Sequence, residues 1–460
     1  MFASIPPSEW TLQAAAHLLN RAGFGGTPGE IQNLHALGQS RAIDFLLGAD
    51  EESDLFPAPD LELIAPKIRK IRSSYLELDK KEELLATARR EERNNGLALR
   101  YWWLRRMRET PNPAREKAAL FWHGHWATSI RKVKNPLFMY RQNETLRAYA
   151  FGRFAPLAKE ITRDPAMIRY LDLDSSSAKK PNENFAREVL ELFTLGEGNY
   201  SETDISEAAR AFAGYRINKE TGAFRFEPRQ ADCGTKTVLG TLGMHNGDEV
   251  IDIIVAKPQC AEFLATKIWS FYAETTPSKA FQKALGEEYV RTGMEAGKFL
   301  RVLFLSREFY APNVVRHQIK SPVQWLVQMC KILEIPLPPD NVTLPIMMNL
   351  GQNLFDPPNV KGWNGARAWI NSSTLLLRYN TAGKLIRGGG GTLPDIDKII
   401  PSGLSPEQSA KALAWRLFQS PMSDQLHDQT CNFIAANGTS AAARRDLLHL
   451  LMATPEFQLI

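Results

Sequence analysis

Residues 181–196 read Pro-Asn-Glu-Asn-Phe-Ala-Arg-Glu-Val-Leu-Glu-Leu-Phe-Thr-Leu-Gly, and the periodicity of this stretch decides the fold class. Pro181 sets the entry, Asn182 can cap the first turn and Gly196 can end the last one in the left-handed region, which predicts one helix of about three turns. At about 100° per residue, Glu183, Asn184, Arg187, Glu188 and Glu191 share an arc of about 140°. Phe185, Ala186, Val189, Leu190, Leu192 and Phe193 fill the opposite side. The same helical grammar recurs along the chain. Thr27-Pro28-Gly29-Glu30 and Ser405-Pro406-Glu407-Gln408 place a hydroxyl cap, a proline at the first helical position and an acid or amide at the third. Ser201-Glu202-Thr203-Asp204 is another capping box, opening a helix that should stop at Gly214. Strand signals are sparse; the best is Ala-Phe-Arg-Phe-Glu at 223–227, with Thr237–Leu239 after it. The expectation is a mainly α protein, a large multi-helical body with a small β-hairpin insertion near 222–240.

Composition divides the chain further. Residues 61–108 are helix-forming and rich in interleaved charges of both signs, which predicts a projecting helical segment laced by i,i+4 ion pairs, or an arm that docks a partner. Within 109–330 lies the helical core that would carry the site, and 1–60 supplies its N-terminal part. Residues 331–400 are rich in Pro, Gly and Asn, including Arg387-Gly388-Gly389-Gly390-Gly391, and read as a loop region. The end of the chain, 401–460, echoes 260–311: Lys-Phe-Leu-Arg-Val-Leu-Phe-Leu-Ser-Arg-Glu-Phe-Tyr at 298–310 answers Arg-Asp-Leu-Leu-His-Leu-Leu-Met-Ala-Thr-Pro-Glu-Phe at 445–457.

The 460 residues carry 56 Lys+Arg against 51 Asp+Glu, a net +5 with the 8 histidines neutral. That balance is too small to supply the phosphate neutralisation behind nucleic-acid affinity, so nucleic acid is not the expected partner. Hydrophobic residues at 44% and charged residues at 23% exclude general disorder. The four cysteines, Cys233, Cys260, Cys330 and Cys431, contain no Cys-x-x-Cys and read as free thiols. No run of 18 residues lacks a formal charge, which removes a conventional spanning helix. The start, Met-Phe-Ala-Ser-Ile-Pro-Pro, has no basic and apolar leader pattern. The chain as it stands therefore reads as cytoplasmic, and as periplasmic or extracellular if a leader has been removed.

Two constellations carry chemistry. On the 182–191 helix Arg187 lies four residues from both Glu183 and Glu191 and can hold both, leaving Glu188 to titrate. The helix reads either as an amphipathic surface element or as a polar cluster in a cleft, where repulsion would raise one carboxyl into the range of a general acid. The second constellation is Phe121-Trp122-His123-Gly124-His125-Trp126. On a continuous helix its histidines diverge by about 200°, so both reach one ion only if Gly124 breaks the helix. They read as buried histidines among aromatics, or as a proton shuttle or divalent-metal ligands beside a carboxylate. Arg131, Lys132, Lys134, Arg141 and Arg147 follow, able to receive an anionic group or to neutralise the acidic helix. The stiff loop 351–363, with Gln352, Asn359 and Trp363, could line a sugar or peptide groove.

These motifs, taken in order, bear a specific resemblance. His17-Leu18-Leu19-Asn20-Arg21-Ala22-Gly23-Phe24-Gly25, the 121–126 segment, the run from Pro181 to Tyr200, Ala-Arg-Ala-Phe-Ala-Gly-Tyr at 209–215, and Pro-Pro-Asn-Val-Lys-Gly-Trp at 357–363 followed by Trp369 and Arg378 resemble the bacterial family called domain of unknown function 1800. The resemblance spans about residue 12 to the end. One departure is Ala231-Asp232-Cys233-Gly234, where the family pattern has His-Asp. The resemblance implies an all-helical bacterial protein without an established reaction, often encoded beside a phosphatase- or sulfatase-like protein, which suggests a polysaccharide or cell-envelope setting.

The functional expectation is an enzyme whose cleft is formed by the 182–191 helix, the end of the 113–125 helix and the 351–369 loop. It would act on a glycan or similar polar polymer by hydrolysis or elimination. Glu188 or Glu191 would be acid/base, with His125 as proton shuttle; Arg21, Asn182, Glu183, Asn184, Arg187, Gln352, Asn359 and Trp363 would contact substrate. His123 and His125 would be the ligands of any divalent metal. The competing expectation is a non-catalytic scaffold that docks the phosphatase- or sulfatase-like neighbour through the charged arm.

Overall fold

The computed structural model describes residues 2–48, 56–273 and 276–460; the junction at 49–55 lies outside them. Among the described residues are 23 α-helices and four strands of three residues each, so the chain is mainly α. The predicted capping boxes at Thr27, Ser201 and Ser405 are all formed, opening helices Pro28–Ala36, Glu202–Ala211 and Pro406–Leu413. The small β element is two hairpins: Phe224–Phe226 pairs antiparallel with Tyr215–Ile217, and Lys236–Val238 with Thr241–Gly243. Each strand takes the nearest segment in sequence, so 223–227 and 237–239 do not pair with one another. The stretch 331–400 also differs from the loop expected there. It carries helices Asp340–Asn349, Ser372–Ile386 and Ile396–Ile399, the second of them opened by an Asn371 capping box.

The charged segment forms helices Ile64–Ser73 and Leu78–Glu109. Its ion pairs include Lys80–Glu83 at 2.7 Å and Arg105–Glu109 at 3.0 Å within one helix, and Lys67–Glu91 at 2.5 Å across the two. Arg69 reaches Glu220 in the first hairpin at 2.9 Å. The last third of the long helix is a core element, with Leu99, Trp102, Trp103, Leu104 and Met107 buried.

Apolar packing is divided into two cores. One gathers residues from Ile5 to Val314, the other Phe24, Leu99–Met107 and most buried residues from Val323 to Phe457. Each holds one copy of the echoed segment. Helices Pro258–Ala273, Lys279–Arg291 and Ala296–Leu305 and the 3-10 turn Arg307–Tyr310 belong to the first. In the second, helix Pro406–Leu413 continues as the π-segment Ala414–Phe418, followed by Asp424–Asn437, Ala441–Ala453 and the 3-10 turn Pro455–Gln458. Helix Pro113–His125 lies on the seam: Ala114, Phe121 and Trp122 pack into the first core, Ala119 and Leu120 into the second. No helix among the described residues is long and apolar enough to cross a membrane.

Candidate functional site

A cavity of about 490 Å³ opens at this seam. Helix Pro113–His125 supplies Lys117, Leu120, Phe121, Gly124 and His125, the spacing of a single helix face. Helix Pro258–Ala273 supplies Thr266, Lys267, Ser270 and Phe271 on one of its own faces. Gln318, Ile319 and Ser321 form another wall, held by Lys320 N–H donating to Gln458 O at 2.8 Å and Ile460 N–H to Gln318 O at 2.8 Å. Ser321 caps helix Pro322–Ile332, whose Gln324 also lines the space. The loop after residue 350 closes it with Gln352, Lys361, Trp363, Asn364 and Trp369.

Three lysines face this cavity and, among the described residues that line it, no Asp or Glu side chain does. Lys117 is nearly inaccessible, and burial, with the Arg21 guanidinium in electrostatic reach, pushes its ammonium down to about 7. Its Nζ donates to Gln324 Oε1 at 2.6 Å and stands 5.2 Å and 5.6 Å from the centres of the Phe24 and Phe271 rings. Burial pushes Lys267 down to about 8; its Nζ donates to Leu192 O at 3.3 Å. His125 Nε2 lies 3.0 Å from Phe193 O. A carbonyl only accepts, so Nε2 carries the proton and Nδ1 is an acceptor, which finds no hydrogen-bond partner among the described residues. Thr266 Oγ1, Gln324 Nε2 and Trp363 Nε1, also from residues of the wall, likewise lack partners.

Other expected site residues have other places. The 181–196 segment is not one regular helix: α-helix Glu183–Glu188 passes into π-helix Val189–Leu195, ending at Gly196 with φ +80°. Thr194 Oγ1 donates to Val189 O at 2.6 Å across the wide turn. The carbonyls released at its end, Leu192 and Phe193, receive Lys267 and His125, so this helix meets the cavity residues through its backbone. Arg187 holds neither Glu183 nor Glu191; it makes a two-pronged pair with Glu202, at 2.9 Å and 2.7 Å, because that carboxylate opens the next helix directly alongside. Glu191 accepts from Tyr200 Oη at 2.6 Å. Glu183 and Asn184 are exposed, and Asn182 is the cap, bonded to Phe185 N–H at 3.1 Å and Leu171 O at 2.8 Å. Glu188 is half-buried: burial and the neighbouring Glu191 push its carboxyl up, while Lys361 and Arg187 pull it back. That places it within electrostatic reach of a cavity lysine without lining the cavity.

His123 points away from the cavity into Trp103, Phe355 and Trp363. Its Nε2 accepts Phe355 N–H at 3.1 Å and burial pushes it down to about 3. Both Nε2 atoms are thus engaged, one with Phe193 O and the other with Phe355 N–H. Among the described residues, no group of three or more His, Cys, Asp or Glu side chains is arranged to hold a metal. Arg21 is buried outside the cavity, donating to Val314 O. Asn359 is exposed and accepts Lys361 N–H at 2.8 Å in a loop turn. Of the basic run, Arg131 pairs with Asp356 at 2.7 Å, Lys132 with Asp172 at 2.6 Å, and Arg147 with Glu116 and Glu144, so these cations are neutralised by the fold.

The family described as "Protein of unknown function (DUF1800)" matches residues 17–459. The chain belongs to the DUF1800 family. No curated protein and no solved structure matches it. In this DUF1800 chain the segments that carry the resemblance divide by task. Gly124 and His125 of the 121–126 segment and Lys361 and Trp363 of the 357–363 loop stand together on the cavity wall. His17, Arg21 and Arg378 instead anchor backbone, at Phe309 O, Val314 O and Lys320 O. At the DUF1800 departure, Asp232 pairs with Arg210 at 2.8 Å, and the exposed Cys233 stands outside the cavity. Lys117, Lys267 and Gln324 are the site residues that sequence reasoning missed. The available signal was a lysine four residues before Phe121 and eight before His125, an ammonium on a face otherwise built to be buried.

Proposed function

We propose that the cavity binds a polyhydroxylated anion the size of one or two sugar units, an acidic saccharide, and that the protein is an enzyme acting on it. The observation that carries this reading is the concentration of Lys117, Lys267 and Lys361 in one cavity whose described lining has no Asp or Glu side chain. Lys117 and Lys267 are desolvated by burial, and desolvated ammonium groups gain most from an anion. The volume falls within the range of small-molecule sites, Trp363 and Trp369 add aromatic surface to the wall, and the amides of Gln318, Gln324, Gln352 and Asn364 suit hydroxyl groups. Hydrolysis by two carboxylates flanking the bond gains no support from the described lining. The cavity instead favours chemistry that uses cations and an amine.

Titration calorimetry and thermal shift with glucuronate and galacturonate against glucose and galactose test the reading. Binding and thermal stabilisation by the acids alone, weakened about tenfold in Lys267→Met, are the expected result. Equal response to the neutral sugars, or none to any of them, overturns it.

A further inference from the structure

We propose that Lys117 is a nucleophile that forms a Schiff base with a carbonyl carbon of the anion bound in the cavity, a 2-oxo acid or keto sugar acid. The proposal deepens the anion-site reading and rests on it. The other lysines of the cavity are differently placed. Lys267 is engaged with the Leu192 carbonyl, and Lys361 is exposed on its loop. Lys117 alone is enclosed between two aromatic rings with one hydrogen bond, to an amide oxygen that orients the amine without supplying negative charge. The adjacent carboxylate, Glu116, is occupied by Arg106, Arg147 and Trp103. An amine desolvated next to another cation is how proteins keep lysine neutral and nucleophilic near neutral pH, and the direction of the Lys117 shift agrees.

The step balances without an added redox partner. The Nζ lone pair bonds to the carbonyl carbon, and the carbonyl π pair moves to oxygen, which takes a proton. Nitrogen loses a proton, and the hydroxyl leaves as water after a second protonation, giving a protonated imine. Lys267 and Lys361 would hold the carboxylate while Lys117 reaches the adjacent carbon. The resulting cation draws electrons from the neighbouring C–C or C–H bond, the basis of aldol cleavage and of proton abstraction.

The test treats the full-length protein with pyruvate and sodium cyanoborohydride, then reads intact mass and maps the modified peptide. One reduced adduct per chain, on Lys117 and absent from Lys117→Arg, is expected. Its rate should rise as pH passes through about 7, as the buried amine in reach of Arg21 loses its proton; Lys267, Lys361 and His125 are the other titratable groups of the wall, and Glu116 is paired with arginines. Adducts spread over surface lysines, or a pH profile rising only near the ordinary lysine range, would overturn it. So would no adduct from pyruvate or from 2-keto-3-deoxygluconate while the acidic sugars still bind, which leaves the anion site standing. Loss of both binding and adduct sinks the two together.

Discussion

Gly362 lies directly on the backbone of Gly124: a Cβ at 362 would collide with the Gly124 carbonyl oxygen. The contact joins the end of helix Pro113–His125 to the loop carrying Lys361 and Trp363, and so sets one corner of the cavity. Gly362 also has φ +81°, where a side chain is strained. Gly362→Ala is therefore expected to destabilise the protein by about 1–3 kcal/mol and to weaken acidic-sugar binding. The reverse substitution across the contact should behave differently. A Cβ on Gly124 meets nothing nearer than Trp363 Cε3 at 4.0 Å, and helical alanine is favoured over glycine, so Gly124→Ala should be neutral or stabilising by up to about 1 kcal/mol. Urea unfolding of both variants checks the pair.

Lys117 predicts a substitution that strengthens the fold while removing function. Its ammonium is pushed to about 7 in the folded chain, against about 10.4 unfolded. Between those values the unfolded chain binds more protons, so stability rises with pH across that window and the penalty is fully present below it. Lys117→Met should gain roughly 1–3 kcal/mol at pH 6.5, after the cost of leaving Gln324 Oε1 without its donor, and should lose that advantage by pH 10. Unfolding curves at the two pH values decide it, and a variant less stable than wild type at pH 6.5 refutes it.

Anion affinity should fall as pH rises from 6 to 9. Lys117 and Lys267 shed their charge through about 7 and about 8, and with it the field that holds a carboxylate. Removing one charged partner by Lys267→Met should cost about tenfold in affinity at pH 6.5, equivalent to about 1.4 kcal/mol, and flatten the upper part of the pH profile. Calorimetry with glucuronate across this range is the measurement.

Much of the architecture was legible because capping and periodicity are local. Thr27, Ser201 and Ser405 start helices from chemistry three residues long. The cavity lining was legible in part. His125, Gln352 and Trp363 meet in the cavity, whereas Arg187 and Glu191 took partners outside the pattern, Glu202 and Tyr200. A helical wheel assumes a constant turn, and the π-segment after Glu188 breaks that assumption. Lys117 escaped notice because its environment is assembled from Phe24, Phe271 and Gln324, far apart in sequence. The corollary is that Arg187→Ala, which removes only a solvent-exposed pair, should leave acidic-sugar binding and melting temperature unchanged.

Glu116 and Lys117 are neighbours with opposite electrostatic fates, and this gives a paired test. Glu116 is fully buried and accepts from Arg106 Nε at 2.7 Å, Trp103 Nε1 at 2.7 Å and Arg147 Nη2 at 2.9 Å. Burial alone would raise its carboxyl, but Arg147 and Arg106 hold it below the ordinary range. Its contribution is thus present above the unfolded pKa of about 4.3 and lost as pH falls through the lower folded value. Glu116→Gln keeps the shape and takes the buried carboxylate from Arg106 and Arg147, the latter keeping Glu144 and Asn143, a loss of about 3 kcal/mol at pH 7 that diminishes as wild type itself protonates in acid. Lys117→Met, one residue on, should move stability the other way. A charge kept for structure weakens the fold when removed, while a charge kept for a ligand strengthens it. If both substitutions destabilise at pH 6.5–7, Lys117 belongs with Glu116 in the framework and the cavity loses its central cation.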